Sequence, residues 1–221
     1  MEARLQQTLI DAVELLEHRR IACALVGGLA VSLRGQPRMT VDVDLVVHAD
    51  VADALGLVSE LSQTTFDPLF PGVEEVVTKA FILPLRHRRT GIRVDLAIGI
   101  SGFERNAISR ATRMAIGAAN VPVVTIEDLL VMKALAGRPQ DEEDIRGIVA
   151  LHNNSIDWER CLCTARDLGR SIDIDIACRL EAARKKASGR PAGGRERRTM
   201  WHGQPRAEPH QRAFEARGTA Q

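Results

Sequence analysis

Two stretches decide how this chain is read: Leu25-Val26-Gly27-Gly28-Leu29-Ala30 and Pro37-Arg38-Met39-Thr40-Val41-Asp42-Val43-Asp44-Leu45. The apolar run Ile21 to Val26 reads as a short strand that stops at two glycines, and Leu29 to Leu33 reads as a helix opening straight after them. Backbone N–H groups at such a helix start attract an anion, and the missing side chains let a phosphate come close. Val41 to Val47 reads as the next strand. Residues i and i+2 of a strand share a face, so Asp42 and Asp44 project together while Val41, Val43 and Leu45 face the core. Neighbouring carboxylates repel unless a cation lies between them, and a hard, oxygen-seeking ion such as Mg²⁺ suits that place. Each signal alone also has a plainer explanation: a tight turn for the glycines, and two solvated aspartates on an edge strand. Neither the P-loop nor the GxGxxG spacing is present.

Further along, Gly91-Ile92-Arg93-Val94-Asp95-Leu96 puts Ile92, Val94 and Leu96 on one face and Arg93 and Asp95 on the other. An acid amid aliphatic residues needs a partner, and either Arg93 or a metal fills that need. If strand 92–98 lies beside strand 41–47, Asp95 completes a three-carboxylate cluster beside a phosphate cradle, a set suited to two-metal phosphoryl or nucleotidyl transfer. Around these strands, periodicity predicts helices over about 4–20, 51–61, 126–136, from Asp141 onward, 157–168 and 174–186. It also predicts a hairpin of strands 81–85 and 92–98 turning at Arg88-Arg89-Thr90-Gly91, and a strand at 121–124. Thr125 with Asp128 reads as a capping pair. The fold class is α/β (α+β): a small mixed sheet with flanking helices, then C-terminal helices. The expected organisation is a domain over 1–150, a helical extension over 151–186 packed on it, and a basic disordered tail over 187–221.

Taken together the motifs resemble the nucleotidyltransferases of the DNA polymerase β-like superfamily. The GGxA…RxTxDxD form, with Lys133 and then Arg138-Pro139-Gln140-Asp141-Glu142-Glu143-Asp144-Ile145, is closest to AbiEii-type toxin nucleotidyltransferases of bacterial toxin–antitoxin systems. The likeness spans about residues 20–150. It implies that Asp42, Asp44 and Asp95 bind two Mg²⁺, with Asp95 also helping to deprotonate an acceptor hydroxyl. Gly27 and Gly28 would cradle the phosphates of an NTP, Lys133 would offset triphosphate charge, and Arg38 and Thr40 would contact phosphate or order the strand. Arg138, Asp141 and Asp144 are expected to fix helix packing. The implied activity is transfer of an NMP to a hydroxyl, such as the tRNA 3′ end, by a toxin–antitoxin component. The alternatives are an antitoxin that modifies a partner protein, and an inactive binding module with this fold. Many superfamily members have Gly-Ser where this chain has Gly27-Gly28, so a phosphate-binding hydroxyl is missing; Ser32, one turn on, is the candidate substitute.

Composition bounds the rest. With 221 residues, 30 Lys+Arg against 29 Asp+Glu and 45% apolar residues, the chain is neither a basic nucleic-acid coat nor wholly disordered. Aromatics at 3% leave little for a base-stacking platform. Residues 187–221 hold seven Arg, three Glu, five Gly and three Pro, too little apolar matter to offset ordering entropy. The four cysteines lack CxxC spacing and a nearby His pair, so zinc is not expected, and without a signal-like segment disulfides are not expected either. No signal-like or membrane-spanning run occurs, pointing to a cytoplasmic protein. Arg86, Arg88 and Arg89 with His87 read as a basic hairpin tip, either facing RNA phosphates or simply solvated.

Overall fold

Alternation builds the two strands that carry the acids. A computed structural model describes residues 1–35 and 37–189 of the chain. In β2 (Asp42–Val47), Val43 and Leu45 are buried while Asp42 and Asp44 are half-buried; in β5 (Arg93–Ile98), Val94, Leu96 and Ile98 are buried beneath Arg93, Asp95 and Ala97. Period-two patterning lets each strand bury its aliphatic face and present its polar one. The two run parallel, with Asp42 opposite Arg93 and Asp44 opposite Asp95. A parallel pairing requires a long crossover, which here includes α3 (Val51–Glu60), β3 (Phe66–Pro68), α4 (Val73–Ala80) and β4 (Ile82–His87).

The sheet has seven strands in the order β3-β4-β5-β2-β1-β7-β6, with β1 at Cys23–Leu25, β6 at Thr112–Ile116 and β7 at Ala119–Val123. Strand β1 pairs antiparallel with β2 and parallel with β7. The amphipathic α1 (Ala3–His18) buries Leu5, Leu9, Ala12, Val13 and Leu16 against the sheet, as its spacing requires. Helix α2 (Gly27–Leu33) begins on the first glycine rather than at Leu29. Helix α5 (Gly102–Ser109) links β5 to β6 behind a Ser101–Glu104 capping box.

Helix α6 (Ile126–Ala136) buries Leu129, Leu130, Val131 and Ala134, so it is apolar on several sides and central. Thr125 Oγ1 caps it by accepting from the Asp128 N–H. Gly137, in the left-handed conformation, ends α6 and turns the chain into α7 (Pro139–His152). Helices α8 (Trp158–Ile172) and α9 (Ile176–Ser188), capped by Asp157 and Asp175, pack against α6, and α9 also against α7. Trp158 is buried in the core. Ala187 and Ser188 continue α9 rather than starting a tail; the disordered reading of 190–221 lies outside the described residues.

The basic hairpin tip is redrawn. Strand β4 runs through His87, whose side chain is fully buried, and only Arg88–Gly91 turn. Arg88 spends its donors on Asp67 Oδ1 (2.9 Å) and the Thr64 carbonyl (2.7 Å). Sequence alone missed β3, α4, α5 and β6.

Candidate active site

The end of β1, the start of α2 and the first turns of β2 and β5 meet at one point. Gly27 has φ +67°, a conformation that costs a side-chain-bearing residue but not glycine. A Cβ there would overlap the Asp44 carboxylate, so the glycine is what admits the acid. Val26 N–H donates to the Asp44 carbonyl at 2.9 Å and ties the two segments together. Gly28 is buried beneath the Arg38 guanidinium, which would lie 3.0 Å from a Cβ at that position.

The three acids share the sheet face above this turn. Thr40 Oγ1 donates to Asp42 Oδ1 at 2.9 Å, and Arg93 Nε donates to Asp95 Oδ1 at 2.7 Å. Burial pushes the Asp44 carboxyl up to about 6, reinforced by the charges of Asp42 and then Asp95 and opposed by Lys133 and Arg138. Arg93 is therefore Asp95's partner here, and the charge of Asp95 still reaches Asp44.

A cleft of about 230 Å³ opens here. One wall is the sheet, with Gly27, Asp44, Asp95 and Ala97; the other is α6 and the start of α7, with Met132, Lys133, Arg138 and Asp141. Lys133 is nearly buried, and its Nζ lies 2.8 Å from both Asp141 Oδ1 and Asp144 Oδ2. Arg138 Nε donates to Asp141 Oδ2 (2.7 Å), and Arg38 Nη1 to Asp144 Oδ2 (2.6 Å). Burial alone would raise the Asp141 carboxyl; hydrogen bonds from Arg138 and Lys133 outweigh it and hold the group at about 2. The expected ion pairing of Arg138, Asp141 and Asp144 is thus present, and it also captures Lys133 and Arg38. Asp141 was missed as a cleft residue because it lies eight positions past Lys133, across the Gly137 turn. Ser32 Oγ donates to the carbonyls of Gly28 (3.2 Å) and Arg38 (3.1 Å), so it braces the loop instead of replacing a phosphate-binding hydroxyl.

Among the described residues, no three His, Cys, Asp or Glu side chains form a ready ligand cage for a metal. The donor chemistry nonetheless fits magnesium. Mg²⁺ is commonly held by one or two carboxylates plus substrate phosphates and waters, and the mutual repulsion felt by Asp44 is what a bound cation relieves. A larger, more open groove of about 720 Å³ runs along α1 past His87 and Arg89. Its most buried ionisable groups, His87 and Asp11, already satisfy one another at 2.9 Å.

A family model described as "nucleotidyltransferase of unknown function (DUF6036)" matches residues 3–167. The chain belongs to this nucleotidyltransferase family. That match takes in both glycines, the three acids and the α6–α7 cluster of this DUF6036 protein, without naming the AbiEii-type branch. No curated protein matches the sequence. Among solved structures, an antigenic nucleotidyltransferase-like protein from Paracoccidioides brasiliensis is similar at 21% identity and a TM-score of 0.53, covering 82% of this chain and 92% of that one. This likeness shows the fold. A lincomycin-bound lincosamide antibiotic adenylyltransferase, LnuA, lies further off, at 14% identity and a TM-score of 0.43, covering 64% of this chain and 94% of that one. Among the described residues, no helix is long and apolar enough to cross a membrane.

Proposed function

We propose that this DUF6036 protein transfers an NMP from an NTP to a hydroxyl acceptor and releases pyrophosphate, with Mg²⁺ as cofactor. The observation that carries this reading is the in-register Asp44–Asp95 pair on parallel β2 and β5, with Asp42 two residues along and the Gly27 backbone against Asp44. Asp42, Asp44 and Asp95 would hold the metal ions, which when bound would neutralise charge on the transferring phosphoryl group.

The chain's own side chains then have separable tasks. Thr40 fixes Asp42 by donating to Oδ1, leaving Oδ2 for a ligand. Arg93 engages Asp95 Oδ1, leaving Oδ2 to take the acceptor's proton. The acceptor oxygen forms a bond to the α-phosphorus as the bond from that phosphorus to the β-bridging oxygen breaks. The electron pair leaves with pyrophosphate, and the proton passes through Asp95 to solvent. Gly27 and Gly28 would cradle the phosphates through backbone N–H groups at the start of α2, the space their missing side chains leave being taken by the Asp44 carboxylate and the Arg38 guanidinium.

The motif likeness to AbiEii-type proteins favours a toxin–antitoxin component acting on the tRNA 3′ end. The test is label transfer from each α-labelled NTP, with Mg²⁺, into cellular RNA and protein. Label in small RNA that disappears in Asp44→Asn supports the proposal, and label in one protein band supports the partner-modifying alternative. Transfer that persists in Asp44→Asn overturns the mechanism. A second reading, an inactive binding module, draws on Lys133 being held by two carboxylates. It predicts Mg·NTP binding without transfer to any acceptor.

A further inference from the structure

The charge balance of the helix wall singles out one residue. Lys133, Arg38 and Arg138 face two carboxylates, Asp141 and Asp144, which leaves one positive charge in excess. Lys133 lines the same cleft but holds its charge on the acids: its side chain is 6% exposed and its ammonium bridges both. Arg38 spends Nη1 on Asp144 and lies over buried Gly28. Arg138 differs on each count. Its side chain is 72% exposed and it lines the cleft. Its Nε and Nη2 rest on Asp141 at 2.7 and 3.2 Å, while Nη1 has no partner among the described residues. Like Lys133, it stands on the wall facing the sheet acids, within electrostatic reach of Asp44.

We propose that Arg138, and not Lys133, grips the triphosphate of the incoming nucleotide, and that Lys133 is a positioning residue that fixes Asp141 beneath it. The inference rests on the nucleotidyl-transfer reading above. A triphosphate entering beside three carboxylates needs a cation with unspent donors, and a guanidinium matches phosphate oxygens in a planar fork where an ammonium acts as a point charge. Holding one edge of Arg138 on Asp141 leaves the other edge for phosphate and limits the rotamer entropy lost on binding.

The test is calorimetric binding to the full chain, with Mg²⁺, of each of the four NTPs, the matching NMPs and inorganic tripolyphosphate. Arg138→Ala is expected to weaken tripolyphosphate and the preferred NTP by about tenfold or more, leaving the NMP unchanged. Arg138→Lys, which can keep an ion pair with Asp141, should recover only part of that loss and guards against a folding artefact. Undiminished tripolyphosphate binding in Arg138→Ala overturns the assignment while leaving nucleotidyl transfer standing. Equal weakening of NMP and NTP also overturns it, by placing Arg138 elsewhere on the nucleotide. A wild-type chain that binds none of the probes overturns the transfer reading and this inference with it.

Discussion

Gly27 and Asp44 fit together only because residue 27 has no side chain: a Cβ there would overlap Asp44 Oδ2, and its φ of +67° already disfavours any other residue. Gly27→Ala should therefore strain the backbone and displace the carboxylate together. The expected cost is about 1–3 kcal/mol of stability with near-complete loss of transfer. Thermal melts beside the label-transfer assay check both; an alanine variant with wild-type transfer would mean that Asp44 tolerates displacement.

Asp44 makes stability and activity run in opposite directions with pH. Its folded carboxyl sits at about 6 against an ordinary 3.8, so between about pH 4 and 6 the folded chain holds a proton that the unfolded chain releases. Without divalent ions, this group's contribution to stability is greatest at the acid end and declines as pH rises through that window. Transfer needs the ionised acid and should fall with acidification, at a pH below about 6 because bound Mg²⁺ favours the carboxylate. Asp44→Asn is expected to remove this part of the stability decline and melt higher than wild type at neutral pH while losing transfer. Melts of the two proteins across the window, without metal, decide it; an asparagine variant that melts lower at neutral pH contradicts the account.

Thr40 lies outside the cleft lining but sets the aim of Asp42 through its 2.9 Å bond. Groups that orient metal-binding carboxylates are commonly worth about 10–100-fold in metal affinity or activity. Thr40→Val should lose activity in that range with little change in melting, and Thr40→Ser should recover most of it. The informative readout is Mg²⁺ dependence: the valine variant should need more Mg²⁺ for half-maximal rate.

Lys133 closes the junction of α6 and α7 from inside. Lys133→Met removes the cation shared by buried Asp141 and Asp144, and breaking a buried pair in this way costs about 3–5 kcal/mol. Chemical denaturation should show that loss even before any nucleotide is added. A methionine variant as stable as wild type would mean that Arg38 and Arg138 suffice to hold both acids.

The site was legible where local pattern decides geometry. Period-two alternation placed Asp42, Asp44 and Asp95 on polar strand faces, and the glycine pair marked the strand-to-helix turn. Sequence did not say that β2 and β5 would be neighbours, because parallel pairing is set by a crossover through some forty residues; that link was conditional until the register put Asp44 opposite Asp95. The ion pairs of Lys133 are not legible locally, because its partners come from the next helix, beyond the left-handed turn at Gly137. Strands β3 and β6 escaped notice for a related reason. Asp67-Pro68 carries poor strand formers, and in β6 only Ile116 is fully buried, so neither has a strong burial pattern. His87 was misplaced at a solvated tip because its apolar surroundings come from Phe66 and its hydrogen bond from Asp11, both distant in sequence.

That histidine supplies a prediction about stability separate from the chemistry. The Thr90 N–H donates to His87 Nδ1 at 3.1 Å, which puts the ring proton on Nε2, where it meets Asp11 Oδ2 at 2.9 Å. Thr90 Oγ1 in turn lies 2.6 Å from Thr8 Oγ1, so α1 and the turn after β4 are joined through buried polar groups. His87→Ala would leave Asp11 without this donor and open a cavity against Phe66, at a cost of about 2–5 kcal/mol. Asp11→Asn retains an acceptor oxygen for Nε2–H and should cost far less. Because the network lies on the sheet face opposite the acids, folded His87→Ala should transfer nucleotide at the wild-type rate below its lowered melting point. A rate loss at low temperature, with the fold intact by circular dichroism, would tie this network to the site.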